Sequence, residues 1–243
     1  MTPVVFVPGL LCSAEVFAPQ VAALWPFGPI TIASTLQGES IPEMATAILA
    51  SAPARFALVG ISMGGYICLE IMRQAPERVI KLALLNTSAR ADTLEQTTLR
   101  RTLIAHAKST EFASLLIKTL GSILHPSRHD DSALREINVR MGLTVGLEGF
   151  IRQSEAIIAR ENRLSELPKI KVPTLVLVGD SDPMTPPICS EEMANAIPNA
   201  RLVIVEHCGH ASTLEQPGAV NHELIKWMQQ PLSAVPEHLL FEI

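Results

Sequence analysis

The chain has 243 residues, of which 48% are hydrophobic and 4% aromatic, and its formal net charge is −5 at pH 7. This length suits one α/β domain with an insertion, and it permits a large core built from aliphatic side chains. The acidic balance excludes the strong basic field that attracts nucleic acid, so we expect a small-molecule substrate and no nucleic-acid partner.

The amino terminus lacks the charged and long apolar segments of a signal peptide, and no apolar stretch approaches the length needed to cross a bilayer. We therefore expect a cytoplasmic protein that does not bind membranes. In that compartment cysteines stay reduced. The four cysteines also lack the close pairs of a zinc site, so no metal is predicted; they are Cys12, Cys68, Cys189 and Cys208.

Short apolar strands alternate with helices through the first third of the chain. The predicted strands are Val4–Val7, Ile30–Ala33, Phe56–Gly60 and Val79–Leu85. Helices are predicted from Ser13 to about Leu24, from Ile41 to about Ala50, and from the turn after Gly60 to just before Pro76. This alternation is typical of an α/β fold with a mostly parallel sheet and helices on both faces.

The alternation stops near residue 90, and a helical stretch without strands follows to about residue 163. Four amphipathic helices are predicted there, with breakers at Gly121, Pro126, Gly142 and Gly146. The first of them is marked by Leu94, Leu99, Leu103 and Ile104.

Regular alternation resumes after the insertion. Strands are predicted over Thr174–Gly179 and Arg201–Val205, and helices over about Ile188–Ala196 and Val220–Met228. The chain thus divides into a first core segment (1–89), an inserted helical cap (90–163) and a second core segment (164–243). No element is predicted from Pro231 onward.

A Gly-x-Ser-x-Gly motif lies where the third strand turns into its helix: Gly60-Ile61-Ser62-Met63-Gly64. Such a tight turn strains the serine backbone and pushes its hydroxyl out of the sheet. The two glycines remove Cβ atoms that would crowd each other. The Met63 N–H is then free at the start of the helix, where it can donate to an oxyanion. The motif predicts Ser62 as a nucleophile.

Two further candidates follow the late strands. Asp182 comes after Thr174–Gly179, and His210 comes after Arg201–Val205. Active sites of open α/β sheets gather at the carboxyl ends of the strands. An imidazole can take the serine proton near neutral pH, and a carboxylate fixes its tautomer. The pattern therefore predicts a Ser-Asp-His triad in that chain order.

Neighbouring residues compete for these roles. Asp180 is expected to accept hydrogen bonds from loop backbone instead of serving the histidine. His210 is preferred to His207 because it follows a glycine. Neither Cys12 nor Cys208 is on a tight strand-to-helix turn, so neither is predicted as a nucleophile. The polar residues that end the fourth strand are candidates for substrate contact: Asn86, Thr87 and Ser88.

Over nearly its whole length the sequence resembles the α/β-hydrolase fold enzymes. Their nucleophile elbow matches residues 60–64, their acid loop (G-x-x-D-x-x-x-P) matches Gly179 to Pro186, and their histidine loop matches Cys208 to His210. The resemblance implies that the N–H groups of Leu10 and Met63 form the oxyanion hole. The chain has Pro8-Gly9 where many members have His-Gly. It also has no room for their leading hairpin, so the sheet should start with Val4–Val7.

The resemblance implies a cofactor-independent serine hydrolase acting on a small apolar ester or related acyl compound. Family members with the same triad also cleave C–C bonds, make peracids as haloperoxidases, or transfer acyl groups. A further alternative is a ligand receptor of this fold with little turnover. A haloalkane dehalogenase is disfavoured because its elbow carries Asp at the position of Ser62. The sequence identifies neither the substrate nor the oligomeric state.

Overall fold

Six strands form one sheet in the computed structural model, which describes residues 1–231. Their bounds are β1 Val4–Val7, β2 Ile30–Ile32, β3 Phe56–Ile61, β4 Val79–Leu85, β5 Thr174–Gly179 and β6 Ala200–Val205. All are parallel, in the order β2-β1-β3-β4-β5-β6. The predicted parallel α/β sheet is confirmed, and β1 is the first of its strands in chain order within residues 1–231.

Helices cover both faces of this sheet. Within residues 1–231 they are α1 Ala18–Leu24, α2 Ile41–Ser51, α3 Met63–Gln74, α4 Leu94–Ser109, α5 Phe112–Thr119, α6 Ser132–Ile158, α7 Pro187–Ala196, α8 Ser212–Glu215 and α9 Pro217–Gln229. Among these residues we find no helix with the length and hydropathy of a transmembrane segment.

The strands divide their side chains between two apolar layers because successive residues point to opposite faces. In β1, Val5 and Val7 belong to the apolar layer that includes α2, α3 and α7, whereas Val4 and Phe6 belong to the layer that includes α1 and α9. All four side chains are fully buried. Burial on both faces explains why the strands are continuous apolar runs.

The predicted strand bounds agree closely with the structure. Those of β1, β4 and β5 are confirmed, and the other three differ by one residue. Ser13 caps a single 3-10 turn, Ala14–Phe17, through a hydrogen bond that its hydroxyl accepts from the Glu15 N–H, and α1 follows this turn. Residues 232–243, which are the whole tail after Pro231, lie outside the described residues.

The insertion between β4 and β5 is helical, and the predicted breakers Gly121 and Pro126 lie between α5 and α6, but the break predicted at Gly142 is wrong. Gly142 lies inside α6, where a Cβ would be 2.9 Å from Leu116 Cδ1, so this glycine permits close packing with α5. The break falls at Gly146 alone, which has φ 74° and ψ 172°. The helices predicted on either side of residues 142–146 are thus two halves of one kinked α6.

The inserted helices pack over the carboxyl ends of the strands. Ile104 of α4, Leu115 and Leu116 of α5, and Phe150 of α6 form an apolar cluster with Leu11 from the loop after β1. Four members of this cluster line the cavity described below: Leu11, Leu115, Leu116 and Phe150.

Candidate active site

The side chains of Ser62, Asp182 and His210 meet at the carboxyl edge of the sheet. The hydroxyl oxygen of Ser62 lies 2.9 Å from His210 Nε2. On the other side of the ring, Nδ1 lies 2.9 Å from each carboxylate oxygen of Asp182. The three residues follow different strands, β3, β5 and β6, so the sheet topology brings them together.

The backbone of Ser62 is strained, as the motif predicts. Its φ of 55° and ψ of −122° are unusual for a residue that is not glycine. A Cβ at Gly64 would lie 1.9 Å from the carbonyl oxygen of Val7, so only glycine fits beside β1. The Thr87 hydroxyl donates to the Ser62 carbonyl oxygen at 2.8 Å and helps to hold the turn.

Asp182 is 3% exposed, yet it stays ionised. Burial by itself would raise the pKa of the Asp182 carboxyl. The charge and hydrogen bond of His210, together with hydrogen bonds from Thr185 and Asn86, lower that pKa to about 2. The Met184 and Thr185 N–H groups donate to Oδ1, and the Thr185 hydroxyl donates to Oδ2. This carboxylate is therefore fixed in position as well as charged.

Asn86 contacts the Asp182 carboxylate and does not line the cavity that contains Ser62 and His210. Its Nδ2 donates to Asp182 Oδ2 at 2.9 Å and to the Gly209 carbonyl oxygen at 3.1 Å. Its Oδ1 accepts a hydrogen bond from the Ser212 hydroxyl. Asn86 has a φ of 45° and is fully buried. It connects the acid loop to the histidine loop.

The residues that follow Asn86 were candidates for substrate contact too, and the structure places them elsewhere. Thr87 is fully buried, and Ser88 is 5% exposed. The Ser88 hydroxyl accepts from the Arg90 N–H at 3.1 Å. None of the three residues lines the cavity that contains Ser62 and His210.

Asp180 holds the histidine loop from one side. Its carboxylate accepts hydrogen bonds from the N–H groups of His207 and Cys208 at 2.9 and 3.1 Å. Burial raises the pKa of this carboxyl, but these backbone hydrogen bonds lower it below the usual value. Asp180 thus serves loop backbone as predicted, although the backbone belongs to the other loop. His207 is exposed, and its ring packs edge-on against His125 with 5.7 Å between the centroids.

Glu215 holds the histidine loop from the other side. This buried carboxylate accepts from the Gly209 and Ala211 N–H groups, which flank His210, and from the His125 N–H of the insertion at 2.7 Å. Sequence reasoning missed Glu215 and the linking role of Asn86. Within residues 1–231, all the hydrogen-bond partners of Glu215 are backbone N–H groups. Every residue except proline carries such a group, so these contacts leave no signal in the sequence.

Two backbone N–H groups are candidates for the oxyanion hole that the resemblance implies. Leu10 lines the same cavity as Ser62, and its N–H donates to no residue within 1–231. Met63 is the first residue of α3, so its N–H has no acceptor inside the helix. The next N–H in the loop, that of Leu11, is taken by Gln153 Oε1 of α6 at 3.1 Å. Leu10 and Met63 therefore remain the candidates for an oxyanion hole.

A cavity of about 290 Å³ opens onto Ser62 and His210, and we call it the catalytic cavity. Its floor includes Leu10, Leu11, Tyr66, Met184 and Thr185 from the core. Leucine and phenylalanine side chains of the insertion form most of its roof: Leu99, Leu103, Phe112, Leu115, Leu116, Leu120 and Phe150. Such a lining suits an apolar acyl group.

A second cavity of about 370 Å³ lies beside the first and shares Tyr66 with it. It contains neither Ser62 nor His210, so the candidate nucleophile and base both belong to the first cavity. Its arginines are each paired with a carboxylate; they are Arg73, Arg90, Arg160 and Arg163.

Both cysteines near the site are poor nucleophiles. Burial raises the pKa of the Cys12 thiol to about 12, in spite of a hydrogen bond from the Gly9 backbone. Burial likewise raises the pKa of the Cys208 thiol, and the nearby carboxylates of Glu215 and Asp180 raise it further. Since the thiolate is the reactive form, neither sulfur competes with Ser62 at neutral pH.

Comparisons with known proteins agree with this architecture. A family model described as the alpha/beta hydrolase fold matches residues 40–217. A pimeloyl-[acyl-carrier protein] methyl ester esterase from Nitrosomonas europaea is 29% identical over 189 residues, which cover 74% of this chain and 73% of the esterase. A poly(3-hydroxyalkanoate) depolymerase from Ectopseudomonas oleovorans is 30% identical over 173 residues, which cover 71% of this chain and 60% of the depolymerase.

A solved structure with the same fold is the enol-lactonase from Burkholderia xenovorans. It superposes with a TM-score of 0.86 at 25% identity, and the match covers 94% of this chain and 92% of the enol-lactonase.

Proposed function

The chain belongs to the alpha/beta hydrolase fold family, and from this premise we propose that it is a serine hydrolase that cleaves small apolar esters or related acyl compounds. The observation that carries the proposal is the continuous contact from Ser62 through His210 to Asp182, at 2.9 Å for each step. No cofactor is needed for this reaction, because the nucleophile, its base and the orienting carboxylate are all side chains.

In the proposed first half-reaction, the Ser62 hydroxyl attacks the ester carbonyl carbon while His210 Nε2 takes its proton. Asp182 holds the imidazole in the tautomer with a proton on Nδ1, and its charge stabilises the imidazolium that forms. The N–H groups of Leu10 and Met63 donate to the tetrahedral oxyanion. The alcohol then leaves with the proton from His210, and an acyl group remains on Ser62.

In the second half-reaction, a water molecule gives a proton to His210 and attacks the acyl carbon of the Ser62 ester. The tetrahedral intermediate collapses, Ser62 regains its proton from His210, and the carboxylic acid leaves. The apolar roof of the catalytic cavity supports this sequence because it surrounds an acyl chain and limits the water around the intermediate.

The experiment that tests the proposal is a turnover screen with p-nitrophenyl esters of increasing acyl length. Lactones and a C–C cleavage substrate run beside them, each with wild-type enzyme and the Ser62→Ala variant. We expect multiple turnovers with short or medium acyl groups, all dependent on Ser62. Ester turnover that survives in Ser62→Ala would contradict the mechanism.

The same screen separates the alternatives that share the triad. A C–C hydrolase would turn over the carbon substrate faster than the esters. A perhydrolase would form peracid when hydrogen peroxide replaces water, and an acyltransferase would form a new ester when an alcohol is added. A receptor would release at most one equivalent of p-nitrophenol and then stop. The methyl esterase and depolymerase relatives favour ester substrates among these outcomes.

A further inference from the structure

Arg100 is a cation in the wall of an otherwise uncharged cavity. It belongs to α4 and lines the catalytic cavity together with Ser62 and His210, and its side chain is 16% exposed. No Asp or Glu is among the residues that line this cavity within the described part of the chain. An arginine in such a setting has a functional or structural partner, because an isolated guanidinium is costly to bury.

Arg100 shares its carboxylate partner, Asp92, with a second arginine. Arg100 Nε donates to Asp92 Oδ2 at 2.7 Å, and Arg160 Nη1 donates to Asp92 Oδ1 at 2.7 Å. The side chain of Asp92 is 1% exposed, and that of Arg160 is 7% exposed. Two guanidinium groups therefore face one carboxylate, and this cluster keeps one net positive charge beside the cavity.

The donors of Arg100 are also incompletely used. Only its Nε makes a hydrogen bond within residues 1–231, so both Nη groups are available. They can form the paired hydrogen bonds that a guanidinium offers to a carboxylate.

Tyr66 supplies another donor at the same cavity. Its ring lies under the Arg160 guanidinium, 4.1 Å from centroid to Cζ. Burial raises the pKa of the Tyr66 hydroxyl, while Arg160 and Arg100 lower it, and the net result is a neutral O–H at physiological pH. Within residues 1–231 this hydroxyl has no hydrogen-bond partner. Tyr66 is one helical turn after Ser62 on α3, so it lies on the same side of that helix.

We propose that the catalytic cavity takes acyl esters that carry a second, anionic group, a carboxylate, which is held by Arg100 with help from Tyr66. The inference rests on the proposed function, since the ester carbonyl is placed at Ser62. The substrate class is then the half-esters of dicarboxylic acids: the ester end reaches Ser62, the methylene chain lies on the Leu and Phe roof, and the carboxylate meets the free Nη groups. Arg100 is a specificity residue here and takes no part in bond cleavage.

The test compares the monomethyl esters of glutarate, adipate and suberate with their dimethyl esters. The measured quantity is the ratio of kcat/KM for the half-ester to that for the diester of the same acid. It is determined for the wild type, Arg100→Met and Arg100→Lys. Arg101→Met is the matched control, because Arg101 is exposed on the same helix and does not line the cavity.

For at least one chain length we expect the ratio to fall roughly tenfold or more in Arg100→Met, mainly through KM, since a charged hydrogen bond is lost. Arg100→Lys should give an intermediate ratio, because lysine keeps the positive charge but lacks the paired, planar N–H donors of a guanidinium. Arg101→Met should leave the ratio as in the wild type. Asp92 keeps Arg160 as its partner in every variant, so the fold should survive. A ratio that is the same in Arg100→Met and wild type at all chain lengths would overturn the inference.

A binding measurement separates this inference from the proposed function. In the Ser62→Ala background, calorimetry with monomethyl adipate and dimethyl adipate needs no turnover. We expect the half-ester to bind more tightly than the diester, and this difference to disappear in Ser62→Ala/Arg100→Met. If the wild type hydrolyses no ester but the half-ester still binds more tightly than the diester, the proposed function fails. The carboxylate-binding site at Arg100, which we call the anion site, is then still supported. Equal binding of the two ligands, or no binding of either, would overturn the anion site.

Discussion

The catalytic cavity has two opposite walls. The loops that follow the strands form one, the strand-end wall, and the helices inserted between β4 and β5 form the other, the helical wall. The strand-end wall carries Ser62, His210 and Asp182 within a hydrogen-bond network in which each carboxylate oxygen of Asp182 accepts three donors. The helical wall is mostly leucine and phenylalanine, and Arg100 is its charged member. The strand-end wall holds the catalytic side chains at fixed hydrogen-bond distances. The helical wall mainly sets the shape of the space for the acyl group.

The two walls should control different properties of the enzyme. Hydrogen bonds at 2.9 Å set the position and protonation of the reacting groups, so changes in the strand-end wall should act on kcat. Apolar packing discriminates between substrates by a few methylene groups or one charge, so changes in the helical wall should act on selectivity.

The largest effect is expected for Ser62→Ala. Loss of the nucleophile should lower kcat on p-nitrophenyl esters by about 10⁶-fold, the scale known for such a triad. The fold should persist, since the hydroxyl lies at the surface of a turn, and thermal unfolding checks this. Cys12→Ser is a useful control because the Cys12 thiol is not a nucleophile, and it should retain turnover. Activity of Ser62→Ala within roughly tenfold of wild type would contradict the assignment.

The next largest effect is expected for Asp182→Asn. The amide favours the wrong tautomer of His210 and should lower kcat by about 10⁴-fold, as in serine proteases. Asp180→Asn is the paired variant from the same loop. It removes one of two acceptors for the His207 and Cys208 N–H groups, so we expect a loss of only about tenfold. A greater loss in Asp180→Asn than in Asp182→Asn would mean that the wrong carboxylate has been assigned.

The strand-end wall could be predicted from sequence to the extent that its chemistry depends on short motifs. The Ser62 turn needs glycines at fixed spacing, and Asp182 and His210 follow apolar strands whose ends are easily recognised. The network around them could not be predicted. Asn86 contacts the Asp182 and Ser212 side chains and the Gly209 carbonyl oxygen, and Glu215 contacts backbone N–H groups. Most of these partners are distant in sequence, and which segments meet is a property of the folded sheet.

The helical wall was predicted as a helical insertion but not in detail. Periodicity predicted Leu94 and Leu99 on the packed face of α4, yet they are 78% and 58% exposed, whereas Ile104 is buried as expected. Arg100 gave no signal either, because an arginine beside another on an amphipathic helix normally faces solvent. Side-chain directions in the insertion depend on how α4, α5 and α6 pack on each other, and local sequence does not specify that packing.

Hydrogen bonds also join the two walls, and changing them tests whether the walls act independently. We call this set of hydrogen bonds the joint. The His210 N–H donates to the Ile123 carbonyl oxygen at 2.8 Å, and Glu215 accepts from both the histidine loop and the His125 N–H. Glu215→Gln replaces one acceptor by an NH₂ group that faces these donors. The histidine loop should shift, and we expect kcat to fall by about 10²-fold, the cost of a small misplacement of a catalytic group.

Glu206→Gln is the matched control for this prediction. Glu206 is exposed, precedes His210 by four residues, and undergoes the same change of charge. Its kcat should stay near the wild-type value, and circular dichroism should show both variants folded. Equal kcat for Glu215→Gln and Glu206→Gln would mean that Glu215 does not position His210, and that the joint between the walls has no effect on catalysis.

The smallest effect is expected on the helical wall, in the discrimination between cationic and neutral esters. The insertion contributes two aromatic side chains to the cavity, Phe112 and Phe150, whose rings pack against each other with 5.8 Å between centroids. They cannot form the aromatic cage that recognises a quaternary ammonium group. Tyr66 is already covered by the guanidinium of Arg160, and the charge of Arg100 repels a cation.

We therefore expect a choline ester to be cleaved at least roughly tenfold more slowly, as kcat/KM, than the ester in which a tert-butyl group replaces the trimethylammonium group. The two substrates have nearly the same shape, so the ratio reports charge and aromatic contact alone. Arg100→Met should bring the kcat/KM values of the two esters closer together, because it removes the repulsion between Arg100 and the ammonium group but adds no aromatic cage. Arg101→Met should leave the ratio of the two values unchanged. Faster cleavage of the choline ester by the wild type would show that the helical wall recognises cations, and it would contradict both the shape and the charge assigned to that wall.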